Sequence, residues 1–168
     1  MKPIAIIYAK NTAKTTLVAQ YIKEAMGNNP ATLVPIEDAW QEEFETYDNI
    51  IAGVSTWFDG ELPAYWDEVI PIIETLDLSN KKVAIFGLGD QVNYPDNFVD
   101  GIGLLADVFE KVGAKIIGIT DTKGFEFNNS KGLRDGKFLG LPIDIENQPD
   151  EIEKRVNHWV EQLKKEFK

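Results

Sequence analysis

The sequence predicts an open, doubly wound α/β fold built on a parallel sheet. Three observations carry that prediction. Short apolar runs alternate with helical patterns from one end of the chain to the other. The run "NIIAGVS" (Asn49–Ser55) is nearly continuously apolar, the pattern of a strand covered by helices on both faces. The 168 residues, 43% of them hydrophobic, suffice for one full core and are too few for two, so one domain over residues 1–168 is expected.

Each element follows from local pattern. Ile4–Tyr8 is a short apolar run and reads as the first strand. From Thr12 to about Met26, Leu17, Val18, Tyr21, Ile22 and Ala25 share one helical face. Ala31–Ile36 and Asn49–Ser55 read as buried strands joined by an acidic, partly helical connection. A helix over about Ala64–Leu76 precedes a strand over Lys81–Gly89. After a polar stretch to Pro95, a helix over about Asn97–Val112 ends at Gly113, the expected C′ position. Ala114–Thr120 is a further strand, and Asp150 is placed to cap a final amphipathic helix carrying Ile152, Val156, Trp159, Val160 and Leu163. The segment from Asp121 to about Asn147 breaks this alternation. It is rich in Gly, Asn, Asp and Lys, with one apolar run at Phe138–Ile143. It is too long for a connection and reads as an insertion in or near the last strand, with a small hairpin of its own.

Composition excludes several functions. A net charge of −11 repels nucleic acid and anionic membranes over most of the surface; the acidity reads equally as steering toward basic protein surfaces or as a plain solubility device. The absence of cysteine removes disulfides, thiolate metal sites and thiol nucleophiles, so any redox chemistry requires a bound cofactor. No metal site is visible, and the lone His158 reads as a surface or packing residue beside Trp159. The apolar run of "MKPIAIIYAK" is short for a signal peptide, which makes a cytoplasmic location the expectation.

In such folds ligands sit outside the carboxyl ends of the strands, and three turns lie there. The first holds Lys10, Asn11, Thr12, Ala13, Lys14 and Thr15, where hydroxyls, lysines and the free N–H groups of a helix N-terminus suit a phosphate; its plain alternative is Thr12 acting as a simple cap. The second holds Ser55, Thr56, Trp57, Phe58, Asp59 and Gly60, and sets an indole directly after a buried strand. The third holds Gly87, Leu88, Gly89, Asp90, Tyr94 and Asn97, adding a second aromatic with polar neighbours. Two aromatics on neighbouring strand ends suit a flat ligand.

The stretches "STWFDGELPAYW", "FGLGDQVNYPDNF", "GFEFNNSKGLRDGKFLGLPIDIENQPD" and "RVNHWVEQLKKEF" resemble, in order and spacing, those of long-chain bacterial flavodoxins. The resemblance spans essentially the whole chain. It implies a five-stranded sheet in the order 2-1-3-4-5, non-covalent FMN, and one-electron transfer as a monomer between a reductase or ferredoxin-like donor and acceptor enzymes. It implies that Thr12 and Thr15 hold the phosphate, that Trp57 and Tyr94 sandwich the isoalloxazine, and that Asp90 meets its pyrimidine edge. It implies further that the peptide after Trp57 lies against flavin N5 and turns its carbonyl during reduction. That turn is expected to need positive φ at its second central position, a demand that bulky residues meet poorly. The exposed acids Asp59, Glu61, Asp67 and Asp96 would then ring the flavin edge as a docking surface for basic partners.

The first turn departs from the family pattern. Ala9 and Ala13 stand where glycines are usual, and Lys10 stands where a hydroxyl is usual. Lys10 and Lys14 would offset the change by direct charge. The alternative reading is a flavodoxin-like binding module with lost or weakened FMN binding. A nucleotide-binding P-loop is echoed by Ala13-Lys14-Thr15, but Tyr8 and Ala13 occupy its two glycine positions and "NIIAGVS" ends in no acidic residue.

Overall fold

Successive residues of β1 (Ile4–Tyr8) point to opposite faces of the sheet, and both faces are buried. Ala5 and Ile7 enter one core, Ile4 and Ile6 the other, which is why the run is apolar throughout. The computed structural model describes residues 1–168. In chain order β1 is followed by α1 (Ala13–Met26), β2 (Ala31–Pro35), α2 (Gln41–Thr46), β3 (Asn49–Ser55), α3 (Ala64–Ile73), β4 (Lys82–Leu88), α4 (Asp100–Lys111) and β5 (Lys115–Ile117). The insertion carries β6 (Leu133–Arg134), β7 (Lys137–Phe138) and β8 (Leu141–Ile143), and α5 (Ile152–Glu166) closes the chain. The sheet runs β2-β1-β3-β4-β5 with every neighbour parallel. Helices α1 and α5 cover one face, while α2, α3 and α4 cover the other. This is the doubly wound order expected of the chain.

Several boundaries differ from the sequence expectation, each for a local reason. Helix α3 stops at Ile73 rather than Leu76, because Pro71 lies in its last turn and the chain tightens into i→i−3 bonds at Thr75 and Leu76. Helix α4 starts at Asp100 rather than Asn97, because Val99 sits in the left-handed region at φ 47°. Strand β5 ends at Ile117, where Gly118 at φ 76° turns the chain away from the sheet. Asp150 does not cap α5. It lies within a 3₁₀ turn, Pro149–Glu151, and the helix begins at Ile152.

The insertion lies inside the fifth strand position. The β6–β7 hairpin turns at Asp135-Gly136, both with positive φ, as a two-residue hairpin requires. Phe125, Phe127 and Phe138 gather around Phe98 at centroid distances of 5.4, 5.4 and 6.1 Å and tie the insertion to the segment before α4. The chain then returns to the sheet. β5 pairs with Lys82–Ala84 of β4, and β8 pairs in parallel with Phe86–Leu88 of the same strand. The fifth position is therefore filled by two separated segments, and the residues after β8 emerge at the carboxyl end of the sheet beside the predicted turns.

Candidate functional site

The first turn carries the donors an anion would need, and they are unspent. Thr12 occupies the N-cap position of α1 in extended backbone but makes no side-chain capping bond, so the plain capping role does not hold. The N–H groups of Ala13, Lys14 and Thr15 have no protein acceptor, as the first turn of a helix leaves them. The hydroxyl of Thr15 is fully buried and has no hydrogen-bond partner. A buried hydroxyl left unpaired costs about 1–3 kcal/mol, so this arrangement calls for an acceptor in the turn. Asn11 is exposed beside it. Ala9 is buried at the base of the turn, and its carbonyl accepts from Thr12 N and Thr16 Oγ1.

The two lysines of the turn are already engaged. Lys10 Nζ lies 3.3 Å from Asp38 Oδ2, and its backbone N–H donates to Glu37 Oε2 at 3.2 Å. Lys14 is ion-paired to Glu146. Both pairs are solvent-exposed and individually weak, so each lysine is held at the rim at little cost to its freedom.

The second and third turns form a slot. A hollow of about 460 Å³ is lined by Thr56, Trp57, Phe58, Gly89, Asp90, Tyr94 and Asn97. A second, of about 220 Å³, shares Thr56, Gly89, Asp90 and Tyr94 with it and adds Lys14, Ser55, Leu88, Ile145 and Glu146. Lys14 links this slot to the phosphate-type turn. Trp57 and Tyr94 are 38% and 56% exposed, unusual values for large aromatics that no partner covers. Trp57 is buttressed edge-on by Tyr65 at 5.9 Å and Phe58 at 6.4 Å.

The Trp57 turn is a tight loop. Trp57 and Glu61 exchange backbone hydrogen bonds of 2.8 and 2.7 Å, leaving three residues to reverse the chain. Phe58 takes φ 47° and Gly60 φ 91°. The positive φ thus falls on Phe58 and Gly60, with Asp59 between them outside the left-handed region. A Cβ at Gly60 would lie 2.5 Å from Asp100 Oδ2 and 2.9 Å from Asn97 Nδ2. Asn97 Nδ2 donates to the Asp59 carbonyl at 3.1 Å and to Asp100 Oδ2 at 3.2 Å, locking the second turn to the third. Thr56 Oγ1 accepts from Gly101 N at 2.9 Å, in the first turn of α4.

Asp90 spends its carboxylate on its own loop. Oδ1 accepts from Val92 N, Asn93 N and Asn147 Nδ2 at 3.1, 3.0 and 2.8 Å, and Oδ2 accepts from Asn93 Nδ2 at 2.7 Å. Desolvation raises its pKa, but these donors outweigh it and hold the carboxyl below its ordinary range. Beneath it, buried Asp144 accepts from Gln91 N and Nε2 and from Asn147 N at 3.1, 2.7 and 3.0 Å, anchoring the Tyr94 loop to the end of the insertion. Tyr65 lies under the slot. Burial pushes its phenol up, the Glu37 charge adds to that, and the Ser55 and Thr15 hydroxyls pull the other way without completing a bond to its unpartnered oxygen.

Ten of the eighteen predicted residues line the two hollows, Lys14 among them, while Lys10, Asn11, Thr12, Ala13 and Thr15 remain in the first turn and Gly60 in the second. Gly87 is an exception, since it lies within β4 and its missing Cβ makes room for Ile102 of α4. Asp59 lines neither hollow and contributes its carbonyl to the Asn97 lock. Ile145, Glu146, Asn147 and Tyr65 were not read as site residues. The first three could have been found from one rule, because a segment returning in parallel to β4 must deliver its next residues to the carboxyl end of the sheet. Tyr65 carried no such signal, being one aromatic among several on a helix.

Comparison with known proteins places these features in context. Residues 6–159 match the family model described as flavodoxin. The chain is 41% identical over 166 residues to a flavodoxin of Nostoc sp., covering 99% of this chain and 98% of that one. It is 38% identical over 163 residues to flavodoxin 1 of Escherichia coli K12, covering 96% and 93%. Among solved structures, the Fusobacterium nucleatum flavodoxin bound to flavin mononucleotide superposes with a TM-score of 0.93 at 33% identity, each chain covered in full. A variant of that protein, also bound to flavin mononucleotide, gives 0.95 at 33% identity, covering 100% of this chain and 98% of the other.

Proposed function

This chain belongs to the flavodoxin family, and from that membership we infer that it binds FMN and works as a one-electron carrier. The observation that carries the reading is the unpartnered Thr15 hydroxyl beneath three free N–H groups, next to a slot walled by two exposed aromatics. A module that had abandoned FMN has no need to keep a buried donor unsatisfied, so nothing favours that alternative. FMN, when bound, supplies a flat redox-active ring that accepts and releases electrons singly.

The residues of the chain divide the work of holding it. Thr12, Thr15 and the N–H groups of Ala13 and Lys14 hold the phosphate, with Lys10, Asn11 and Lys14 at its rim. Trp57 and Tyr94 hold the ring between their faces and exclude water from it. Ser55, Thr56, Leu88 and Gly89 form the floor. Gly89 lacks a Cβ that would lie 2.9 Å from Val99 Cγ1, and this lets the loop before α4 close under the slot. Phe58, Asp59 and Gly60 present backbone to one ring edge. The Asp90 loop, fixed by Asn93 and Asn147, presents its own to the other. The backbone carbonyls near Phe58 would be hydrogen-bond acceptors for an N–H at that edge of a bound ring.

The carrier has no substrate-converting site of its own in this reading. It is a single-domain monomer that meets a flavodoxin or ferredoxin reductase and acceptor enzymes in the cytoplasm. No helix of the chain is long and apolar enough to cross a membrane. Titration of the purified protein with FMN, followed by visible absorbance and quenching of tryptophan fluorescence, tests the reading. Stoichiometric binding with riboflavin binding far more weakly is expected; no spectral change on FMN addition would overturn it.

A further inference from the structure

A cavity of about 570 Å³ opens between β5, the insertion and α5. The chain as a whole carries 28 acidic and 17 basic residues. This wall reverses that balance, with Lys123, Lys137, Lys154 and Arg155 lining it against Asp121 and Glu151. None of the four cations has a carboxylate within ion-pairing distance. The chain's other arginine behaves as an excess of acid predicts: Arg134 meets both carboxylate oxygens of Glu110, at 2.7 and 2.8 Å.

Arg155 is held in place rather than free. Its guanidinium carbon lies 3.9 Å from the centre of the Phe125 ring. Gly124, at φ 90°, leaves the space it needs, since a Cβ there would lie 2.9 Å from Nη2. Its Nη1 is buried without a hydrogen-bond partner. Desolvation pulls the group below its ordinary pKa, against the opposing fields of Glu151 and Asp144. Lys154 and Arg155 also stand in the opening turns of α5, where the positive end of the helix disfavours cations. An unpaired, partly desolvated arginine fixed on an aromatic face at such a position is costly for folding alone, and an anion filling the cavity would offset that cost.

The charge count and the walls define the anion. Four cations against two acids leave a surplus of two positive charges, the complement of a phosphomonoester near neutral pH. The volume exceeds that of a bare phosphate, and the half-buried Ile119 and Phe125, backed by the buried Leu141, Pro142 and Trp159, give the rest of the cavity an apolar surface. We propose that this cavity binds a small phosphorylated metabolite, its phosphoryl group against Arg155 and Lys154 and its body against the half-buried Ile119 and Phe125.

The test uses the full chain saturated with FMN, so that the phosphate turn is filled, and adenosine monophosphate as the probe, with adenosine as its uncharged counterpart. Two-dimensional NMR follows the indole N–H of Trp159 and the amide of Gly124, while flavin absorbance reports that FMN stays bound. Saturable shifts of both signals with adenosine monophosphate are expected, with adenosine at least about tenfold weaker. Arg155→Gln and the exposed, fold-neutral Lys137→Gln should each weaken binding, the first by about tenfold and the second by a smaller factor. Absence of a saturable shift at these two positions, an equal response to adenosine, or unchanged affinity in both variants would overturn the proposal.

Discussion

Thr15 and Asp90 show how single residues hold a site in readiness. A fully buried hydroxyl without a partner weakens the free protein and strengthens its complex, so Thr15→Val should move the two in opposite directions. The FMN-free variant should gain about 1 kcal/mol in urea unfolding, while FMN affinity falls by about tenfold. Loss of both stability and affinity would show that the hydroxyl has a partner in the free protein. Asp90 makes a pH prediction. Its folded pKa is depressed, so its contribution to stability is complete above the unfolded value, near 3.8, and disappears as pH falls through the lower folded value. The parent protein should therefore lose urea midpoint as pH falls below about 4, through the depressed folded value, and Asp90→Asn should start lower and give a flatter profile over that acid range. Parallel profiles would remove Asp90 from this role.

At the scale of elements, the sequence was legible wherever pattern and burial agree. β1 and β3 lie where continuous apolar runs placed them, and Gly113, at φ 92°, ends α4 as its C′ residue. The misreadings fall where tertiary contacts overrule local preference. Val99 takes a left-handed conformation that no valine favours, packed between Gly89 and Gly132 where added β-carbons would crowd it, and this moved the start of α4. The Phe138–Ile143 run gave no sign that it would divide between a hairpin and a sheet strand, since its partner, β4, is distant in sequence. The site followed the same division. The three turns were legible from the strand ends, whereas the supporting carboxylates, Glu146 and Asp144, come from the far end of the insertion. The turn at Phe58 carries an element-scale prediction. Its φ of 47° is a standing strain, so Phe58→Gly should raise the thermal stability of the FMN-free protein by about 1 kcal/mol despite the loss of the edge contact with Trp57. Differential scanning calorimetry checks this, and a lower transition temperature would assign the ring contact the larger weight.

The whole molecule combines a net charge of −11 with one locally cationic wall, the cavity beside α5. Around the flavin turns Asp59, Glu61, Asp67 and Asp96 are all exposed, so a basic partner approaching that edge meets a field of one sign. Its association should slow by about tenfold or more between low and high salt, as measured by stopped-flow reduction with a basic reductase. A flat dependence would mean that docking relies on shape and apolar contact at Trp57, Phe58 and Tyr94.

The divided fifth strand has a consequence for how such a chain can be lengthened or shortened. β5 stops opposite Ala84 and β8 resumes opposite Phe86, and only Ile85 lies between those partners. A single residue joining Ile117 to Leu141 would fuse the halves into one unbroken strand without moving either by a step. The excursion is thus a detachable cassette, spliced at a seam the hydrogen-bond ladder does not register. What its removal would expose is the ring of Phe98, and what it would erase is the cavity floored by Phe125 and Arg155. Whatever that cassette adds to the molecule could be gained or shed in one event, with the flavin-side turns of β1, β3 and β4 left in place.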